Sequence, residues 1–307
     1  MFRLATRGFS TARIALSAYK QQPRKTLTQI YELYNMRKPI SVVTAWDHLT
    51  AQITEKADID ITLVGDSLAM VALGYEDTNE ISLDEFLYHV RAVSRGNKTL
   101  FIVADVPFGT FETSDADALK TAIALVKRGR AQAVKIEAGV TSALTIRRIV
   151  DAGIPVMGHV GLAPQKHHTS GGYRLQGNTE NSAVQILQDC KALEEAGVFA
   201  LLLECVPNKF AEIVTSLVSV PVIGIGAGPH VSGQVLVMAD MLGMTDNTPA
   251  KFVKQYMNFA QDALLALAQY KADLADGSFP NADLHGYKMK SDVLRKVREY
   301  VSSNKNQ

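Results

Sequence analysis

Carboxylate side chains recur where short apolar runs of this sequence end. Asp66 ends "ITLVGD", Asp105 ends "LFIVAD" and Glu137 ends "AVKIE". They offer only oxygen ligands, with no His or Cys alongside, which suits a hard cation such as Mg²⁺ that keeps waters and lets a substrate complete its shell. For a single carboxylate, the simpler interpretation is a helix cap or an ion-pair partner. Their recurrence at equivalent positions favours a magnesium site instead.

Other polar side chains occupy similar positions. Lys135 lies two residues before Glu137, so both side chains face the same side of a strand. A buried lysine there is a satisfied ion pair, a ligand to an anionic substrate, or both. His159 in "MGHVGL" is either a core histidine bonded to backbone or a substrate contact.

Glu204 is the candidate general base. It follows the apolar run of "LLLECVP", where desolvation would raise its pKa towards neutrality. The alternative is a salt bridge to a lysine or arginine of a loop.

A regular alternation of short apolar runs and longer amphipathic stretches would position these residues. The longer stretches include 82–96, 113–129 and 179–197, which begin with a Ser or Thr cap and close at Gly. The eight apolar runs, which predict strands, are 40–47, 61–67, 100–108, 133–139, 156–162, 200–206, 222–228 and 234–244.

Eight continuously apolar strands separated by helices predict an α/β protein with a closed (β/α)₈ barrel. A doubly wound open sheet is the rival, but it requires a glycine-rich turn after its first strand, and "TAWDHLT" has none. The glycine-rich "GIGAG" comes instead at the seventh strand, where barrels often bind anions. Since strand ends converge on one mouth of a barrel, the polar residues above should lie together there.

The composition points to a soluble globular protein with a small-molecule partner. The chain has 307 residues, a net charge of +1 and 47% hydrophobic residues. No basic excess suggests nucleic acid, and no apolar run approaches the roughly 20 residues of a membrane span. The two cysteines, Cys190 and Cys205, lack zinc-site spacing, so we expect a reducing compartment and no structural zinc.

The two ends of the chain differ from the rest. Residues 1–31 contain six Lys or Arg and no acidic residue, as in a mitochondrial transit peptide; a disordered basic tail is the alternative. Residues 32–287 are predicted to form the barrel domain, with a helix from about 251 to 276. Residues 288–307 are predicted to form a charged tail, helical or frayed.

Eight short segments together resemble the ketopantoate hydroxymethyltransferase family. They occur in the family's order and spacing, most closely between about residues 38 and 244. The segments are "TAWD", "LVGDSLAM", "ADVPFGTF", "VKIEAG", "GHVGLAPQ", "GGYRLQG", "LLLECVP" and "PVIGIGAG".

The resemblance implies a barrel of the phosphoenolpyruvate mutase and isocitrate lyase superfamily and a place in pantothenate biosynthesis. The implied reaction is transfer of a one-carbon unit from 5,10-methylenetetrahydrofolate to α-ketoisovalerate, with Mg²⁺ as cofactor. It also implies a homo-oligomer, decameric in some members. The N-terminal basic segment is expected of a eukaryotic mitochondrial form.

Site roles follow from the resemblance, motif by motif. Asp66 and Asp105 match the metal-binding aspartates, and Glu137 matches a residue that reaches the ion through water. Ser67 and Lys135 match residues that hold the keto acid. The family's catalytic base corresponds to Glu204.

The sequence departs from the family at a few positions. These are Trp46, Asn178, an additional Ala250 and a basic, histidine-bearing "KHHTS" at residues 166–170. They affect loops and the folate side, not the metal aspartates.

Two rival functions remain. A Mg²⁺-dependent carbon–carbon lyase or mutase acting on an α-keto acid would reuse the aspartates, but the Lys-Lys-Cys-Gly-His loop of such lyases is absent. A non-catalytic binding protein on a barrel scaffold would be expected to lack a metal aspartate or the base.

Overall fold

A computed structural model describes residues 24–304. Eight parallel strands form a closed barrel in which each strand pairs with the next and β8 pairs with β1. The strands are β1 (Ile40–Thr44), β2 (Ile61–Val64), β3 (Phe101–Asp105), β4 (Ala133–Glu137), β5 (Val156–Gly161), β6 (Ala200–Glu204), β7 (Val222–Ile225) and β8 (Gly233–Leu236). The predicted barrel and its eight strands are therefore confirmed, although most predicted runs extend into the loops that follow the strands.

Helices alternate with the strands and then continue beyond β8. They are α1 (Leu27–Asn35), α2 (His48–Lys56), α3 (Leu68–Val71), α4 (Leu83–Gly96), α5 (Asp115–Lys127), α6 (Ala143–Asp151), α7 (His167–Ser170), α8 (Glu180–Ala196), α9 (Asn208–Leu217), α10 (Met238–Met241), α11 (Phe259–Asp276), α12 (Ala282–His285) and α13 (Ser291–Asn304). Short 3₁₀ turns precede α6 and α7.

Two of the three predicted inter-strand helices begin at the expected caps, Ser82 and Thr179, and the third is capped by Ser114, one residue after the expected Thr113. The side chains of Ser82, Ser114 and Thr179 each accept a hydrogen bond from a backbone N–H in the first turn of α4, α5 and α8. These bonds satisfy N–H groups that have no partner within the helix. Two boundaries were wrong: α11 begins at Phe259 rather than near residue 251, and the run predicted as strand 234–244 contains β8 followed by helix α10.

Apolar side chains form two packed layers. One layer fills the barrel interior, with Leu63, Val103 and Met157 among its buried members. The other lies between the strands and the surrounding helices, where Phe86 and Ile102 are buried completely. Because β3 has apolar residues on both faces, it contributes to both layers, as expected for a parallel sheet covered by helices.

Helix α1 packs at the barrel end opposite the carboxyl ends of the strands. Ile30 is 1% exposed and packs with the interior layer, and the Tyr31 hydroxyl donates to the carbonyl of Phe199. Just before α1, the Arg24 guanidinium donates to the carbonyl of Asn97. Residues 24–31, which the sequence analysis assigned to the leader, are therefore part of the folded chain. The rest of that predicted leader, residues 1–23, lies outside the described residues.

The C-terminal region forms a separate compact unit. Of the described residues, 24–241 and 249–254 belong to the barrel unit, whereas 242–248 and 255–304 belong to the second. The predicted barrel domain therefore extended too far when it was carried to residue 287. Helix α13 occupies most of the predicted tail, and all its residues are solvent-accessible. Among residues 24–304, no helix combines the length and apolar character needed to cross a membrane.

Candidate active site

Strand register brings the predicted site residues together at the carboxyl ends of the strands. Asp105 on β3 is paired with Lys135 on β4, and Glu137 on β4 is paired with His159 on β5. Glu204 is the last residue of β6. A cavity of about 100 Å³ opens between these strand ends. All seven predicted site residues line it: Asp66, Ser67, Asp105, Lys135, Glu137, His159 and Glu204.

The two aspartates and the lysine form one buried group. The Asp66 backbone N–H donates to Asp105 Oδ2 over 2.9 Å, and Lys135 Nζ lies 3.1 Å from Asp105 Oδ1. All three residues are no more than 6% exposed. Because a buried ammonium requires a nearby negative charge, Asp105 accounts for the burial of Lys135.

His159 connects this group to the candidate base. Its Nδ1 lies 3.3 Å from Lys135 Nζ, and its Nε2 lies 3.1 Å from Glu204 Oε2, although the latter angle is not that of a hydrogen bond. An ammonium can only donate, so Nδ1 accepts and the proton of a neutral imidazole is on Nε2. His159 therefore presents an N–H towards Glu204 and contacts two side chains of the site.

The chain turns sharply directly after the candidate base. Cys205 has a φ of 48°, in the left-handed region that non-glycine residues rarely adopt. Such strain is held in place by surrounding structure and is common at functional sites. Ser67, at the start of α3, makes no capping hydrogen bond through its side chain. Asp47, in contrast, caps α2 by accepting from the Thr50 N–H and does not line the cavity.

Three carboxyl groups of the site have strongly raised pKa values. Burial, reinforced by the charge of Asp66, raises the pKa of Asp105 to about 7 and that of Glu204 to about 8, against the opposing effect of Lys135. The same causes raise the pKa of Glu137 to about 8.

The two basic groups shift in opposite directions. Burial by itself would lower the pKa of Lys135, but the neighbouring carboxylates outweigh it and raise that pKa. Burial and the charge of Lys135 lower the pKa of His159 well below its usual value, so the imidazole is neutral. The cavity is therefore lined by one ammonium group, that of Lys135, and by four carboxyl groups, those of Asp66, Asp105, Glu137 and Glu204.

The site has the donors that a hard divalent cation requires. Within residues 24–304, Asp105 Oδ1 and Glu137 Oε2 are buried oxygens that accept no aligned hydrogen bond. Oxygen donors together with an excess of carboxylates match the preference of Mg²⁺. A cation there would also favour the ionised carboxylates and reverse their pKa shifts.

Sequence reasoning missed three polar residues of this site, Thr44, Gln165 and Thr78. Thr44 lines the cavity and, within the described chain, donates no hydrogen bond to the carboxylates of the site. Gln165 donates from its side chain to Asp66 Oδ2 over 2.8 Å and from its backbone to Glu137 Oε1 over 3.0 Å. Thr78 lines the cavity, and its hydroxyl is buried without a hydrogen-bond partner in the described chain. The one available signal was the polar end of "GHVGLAPQ", because a glutamine in an apolar motif suggests a specific contact. Nothing in the local sequence marked Thr78.

A second, larger cavity of about 670 Å³ adjoins the first. Glu204 lines both cavities. The larger one also contains Tyr173, Arg174, Lys251 and Phe252, so it offers aromatic rings and positive charges. The glycine-rich segment noted at the seventh strand contributes Gly226 and Gly228 to this cavity.

Comparison with solved structures defines the fold class. The chain superposes on a phosphonopyruvate hydrolase solved in complex with oxalate and Mg²⁺, with a TM-score of 0.56 at 14% identity over 92% of this chain and 98% of the other. It also superposes on 2,3-dimethylmalate lyase, described as a PEP mutase/isocitrate lyase superfamily member, with a TM-score of 0.53 at 17% identity, covering 91% and 96% of the two chains. These likenesses and the closed eight-stranded sheet confirm the predicted (β/α)₈ barrel fold.

Sequence comparison defines the family within that class. The ketopantoate hydroxymethyltransferase family model matches residues 24–282. A 3-methyl-2-oxobutanoate hydroxymethyltransferase of Clostridium botulinum is 44% identical over 274 residues, 89% of this chain and 99% of the relative. The enzyme of that name from Emericella nidulans is 44% identical over 293 residues, 93% of this chain and 83% of the relative. This chain belongs to the ketopantoate hydroxymethyltransferase family, and the predicted family is confirmed.

Proposed function

We propose that this enzyme transfers a hydroxymethyl group from 5,10-methylenetetrahydrofolate to 3-methyl-2-oxobutanoate and so forms ketopantoate. The observation that carries the proposal is the position of Glu204 between two cavities. A reaction that joins a small keto acid to a carbon carried by a large cofactor needs two adjacent compartments. The catalytic group must reach the bond-forming carbons where the compartments meet.

Asp66 and Asp105 are proposed to hold a Mg²⁺ ion, with Glu137 acting through water. Such an ion would polarise the keto group and make the neighbouring C–H more acidic. Among the described residues, one group of three metal-ligand side chains has its ligand atoms all within 4.8 Å of one another, and it does not include Asp66, Asp105 or Glu137. This wider spacing supports a position for Glu137 outside the direct ligands of the ion. Lys135 supplies positive charge for the substrate carboxylate, and Ser67 supplies a hydroxyl.

Glu204 is proposed to remove the proton from the carbon next to the keto group. Its raised pKa makes it a stronger base than an ordinary glutamate, and the positive charge of Lys135 favours the ionised form that the reaction needs. The neutral His159 ring lies beside this carboxylate, with Nε2 3.1 Å from Glu204 Oε2. The resulting enolate would attack the methylene carbon of the folate as the bond from that carbon to one folate nitrogen breaks. Water would then supply the hydroxyl group as the second carbon–nitrogen bond breaks, and tetrahydrofolate would leave with the electron pairs and protons of both bonds.

The larger cavity is proposed to bind the folate. Tyr173 and Phe252 offer rings on which a pterin can pack, and Arg174 and Lys251 offer charges for its glutamate carboxylates. Glu204 would then face both reacting carbons from one position.

The direct test is consumption of methylenetetrahydrofolate that depends on both 3-methyl-2-oxobutanoate and Mg²⁺. Asp105→Asn should lose metal and keto-acid binding while the protein stays folded, because the amide cannot balance the charge of the ion. Asp117→Asn, an exposed position on α5, is the matched control. Undiminished keto-acid binding by Asp105→Asn in calorimetry would exclude the assignment.

We also propose that the protein is mitochondrial and that the acid-poor N-terminal segment is its transit peptide. The match to the family model begins at residue 24, within the acid-poor segment 1–31. The mature protein should therefore start between about residue 10 and residue 24. Mass spectrometry of the native protein would test this, and an intact Met1 in the cytosol would contradict it.

A further inference from the structure

A cluster of metal-ligand side chains lies outside the proposed magnesium site. Asp77 comes from the loop between α3 and α4, and His167 and His168 open the short helix α7. One ligand atom from each residue lies within 4.8 Å of the others. The two histidines belong to the "KHHTS" segment that distinguishes this sequence from its family, and the proposed reaction does not use them.

The distances in this cluster suit a tetrahedral ion. Asp77 Oδ2 lies 3.3 Å from His167 Nε2 and 3.8 Å from His168 Nε2. Bonds of about 2.0–2.1 Å in tetrahedral geometry hold neighbouring ligand atoms roughly 3.3 Å apart. One of the measured separations already has this value, and the other is within reach of a rotation of an exposed side chain.

Supporting hydrogen bonds hold two of the three ligands. His167 Nδ1 lies 2.9 Å from the carbonyl of Pro164, which can only accept, so the proton is on Nδ1 and Nε2 carries the lone pair. The Asn79 backbone N–H donates to Asp77 Oδ1 over 2.8 Å and leaves Oδ2 directed at the histidines. Ligating histidines and carboxylates usually have such outer partners.

The exposure of the three side chains fits a site with one open position. The side chains of Asp77 and His167 are 19% and 14% exposed, whereas that of His168 is 75% exposed. Water can therefore reach the ion from the His168 side and complete a four-ligand shell. Two imidazoles and one carboxylate favour Zn²⁺ over Mg²⁺, which prefers oxygen ligands.

We propose that Asp77, His167 and His168 form a Zn²⁺ site, separate from the magnesium site, that clamps two loops over the barrel mouth. The clamped loops contact the active site, because the Asn79 side chain donates to the carbonyl of Gln165, whose own amide donates to Asp66. The ion would therefore stabilise the position of Gln165. The earlier expectation of no structural zinc rested on the cysteines and does not apply to a histidine pair.

The test measures Zn²⁺ binding to the full-length enzyme with Mg²⁺ kept saturating. Equilibrium dialysis followed by elemental analysis should find one Zn²⁺ per wild-type chain. His168→Ala should weaken this binding at least about tenfold, since even loss of an outer partner costs that much. Because His168 is exposed, the variant should fold normally. His230→Ala, an exposed histidine in the loop after β7, is the matched control and should bind Zn²⁺ as wild type does.

Two further measurements separate this site from the magnesium site. Asp105→Asn should retain Zn²⁺ binding, because it changes only the proposed magnesium site. Co²⁺ in place of Zn²⁺ should give the visible absorption of tetrahedral imidazole ligation in wild type, and Asp77→Asn should weaken it. The proposal is overturned if wild type binds no Zn²⁺, if His168→Ala binds it as tightly as wild type, or if Asp105→Asn abolishes binding.

Discussion

Glu204 illustrates how position rather than residue type makes a general base. An ordinary glutamate is too weak a base at neutral pH, but burial at the end of β6 raises the pKa of this one to about 8. Glu204 lies at the junction of the two cavities, with His159 beside it and the strained turn at Cys205 directly after it. Its environment therefore supplies both the basicity and the direction that proton removal needs.

Glu204→Gln should separate chemistry from binding. The amide preserves shape but cannot accept the proton, so turnover should fall on the order of a hundredfold or more while Mg²⁺ and keto-acid affinity stay nearly unchanged. The most direct measurement is exchange of the substrate C–H with deuterated water in the absence of folate. Wild type and the exposed control Glu212→Gln should exchange; the Glu204 variant should not. Exchange by that variant at the wild-type rate would place the base elsewhere.

The raised carboxyl pKa values also predict how stability depends on pH. Asp105, Glu137 and Glu204 bind protons more tightly in the folded chain than in the unfolded chain, so their contribution to stability is lost as pH rises towards their folded values. His159 binds its proton less tightly in the folded chain than in the unfolded chain, so it makes stability rise with pH, but only below its ordinary pKa of 6.5. The metal-free protein should therefore become less stable between pH 6.5 and 8.

The size of this effect is on the order of 1 kcal/mol per pH unit for each titrating carboxyl. Saturating Mg²⁺ should remove the decline, because the ion binds the ionised carboxylates of the folded state. Urea denaturation at both pH values, with chelator and with Mg²⁺, measures the difference. A metal-free stability that stays constant or rises over this interval would contradict the assigned shifts.

At the scale of elements, the carboxyl-end halves of strands β3 to β6 contribute polar residues to the site, and the loop after β5 adds hydrogen bonds to them. The strands supply Asp105, Lys135, Glu137, His159 and Glu204, whose register places them side by side. The loop after β5 supplies Gln165, which is hydrogen-bonded to two of the site's carboxylates.

Helix α1 should be essential to the barrel although it lies far from the chemistry. Ile30→Ala removes a side chain that is 1% exposed and leaves a cavity in the barrel interior, so it should destabilise the protein by about 2 to 5 kcal/mol. Leu144→Ala on α6 is a suitable control, because Leu144 is 82% exposed and should cost little. Chemical denaturation of both variants tests this. If Ile30→Ala were as stable as Leu144→Ala, residues 24–31 would be dispensable for folding, as a cleaved leader would be.

At the scale of the whole molecule, we propose that the enzyme is a homo-oligomer. Helix α11 has no buried residue, and Leu264, Leu265 and Leu267 are each at least 60% exposed. Their spacing places them on one side of the helix. A contiguous apolar face of this kind is typical of a protein interface.

Changing that face should alter assembly without unfolding the chain. The double variant Leu264→Glu, Leu267→Glu introduces charges that would be buried in an interface, so it should sediment as a smaller species than wild type. Ala266→Glu, on the opposite side of α11, should sediment as wild type does. Sedimentation velocity, with circular dichroism as a check of folding, makes the comparison. Identical wild-type and double-variant species would exclude α11 from the interface.

The sequence by itself determined the barrel, its strand order and the identity of seven residues that line the small cavity. Those features are encoded locally, because apolar periodicity, helix caps and short motifs depend on neighbouring residues. Tertiary structure alone decided what depends on distant contacts: the folded state of residues 24–31, the separate C-terminal unit, and the roles of Gln165 and Thr78. It also brought Asp77 to His167 and His168, which are ninety positions away, because only the closed barrel places those two loops over the same mouth.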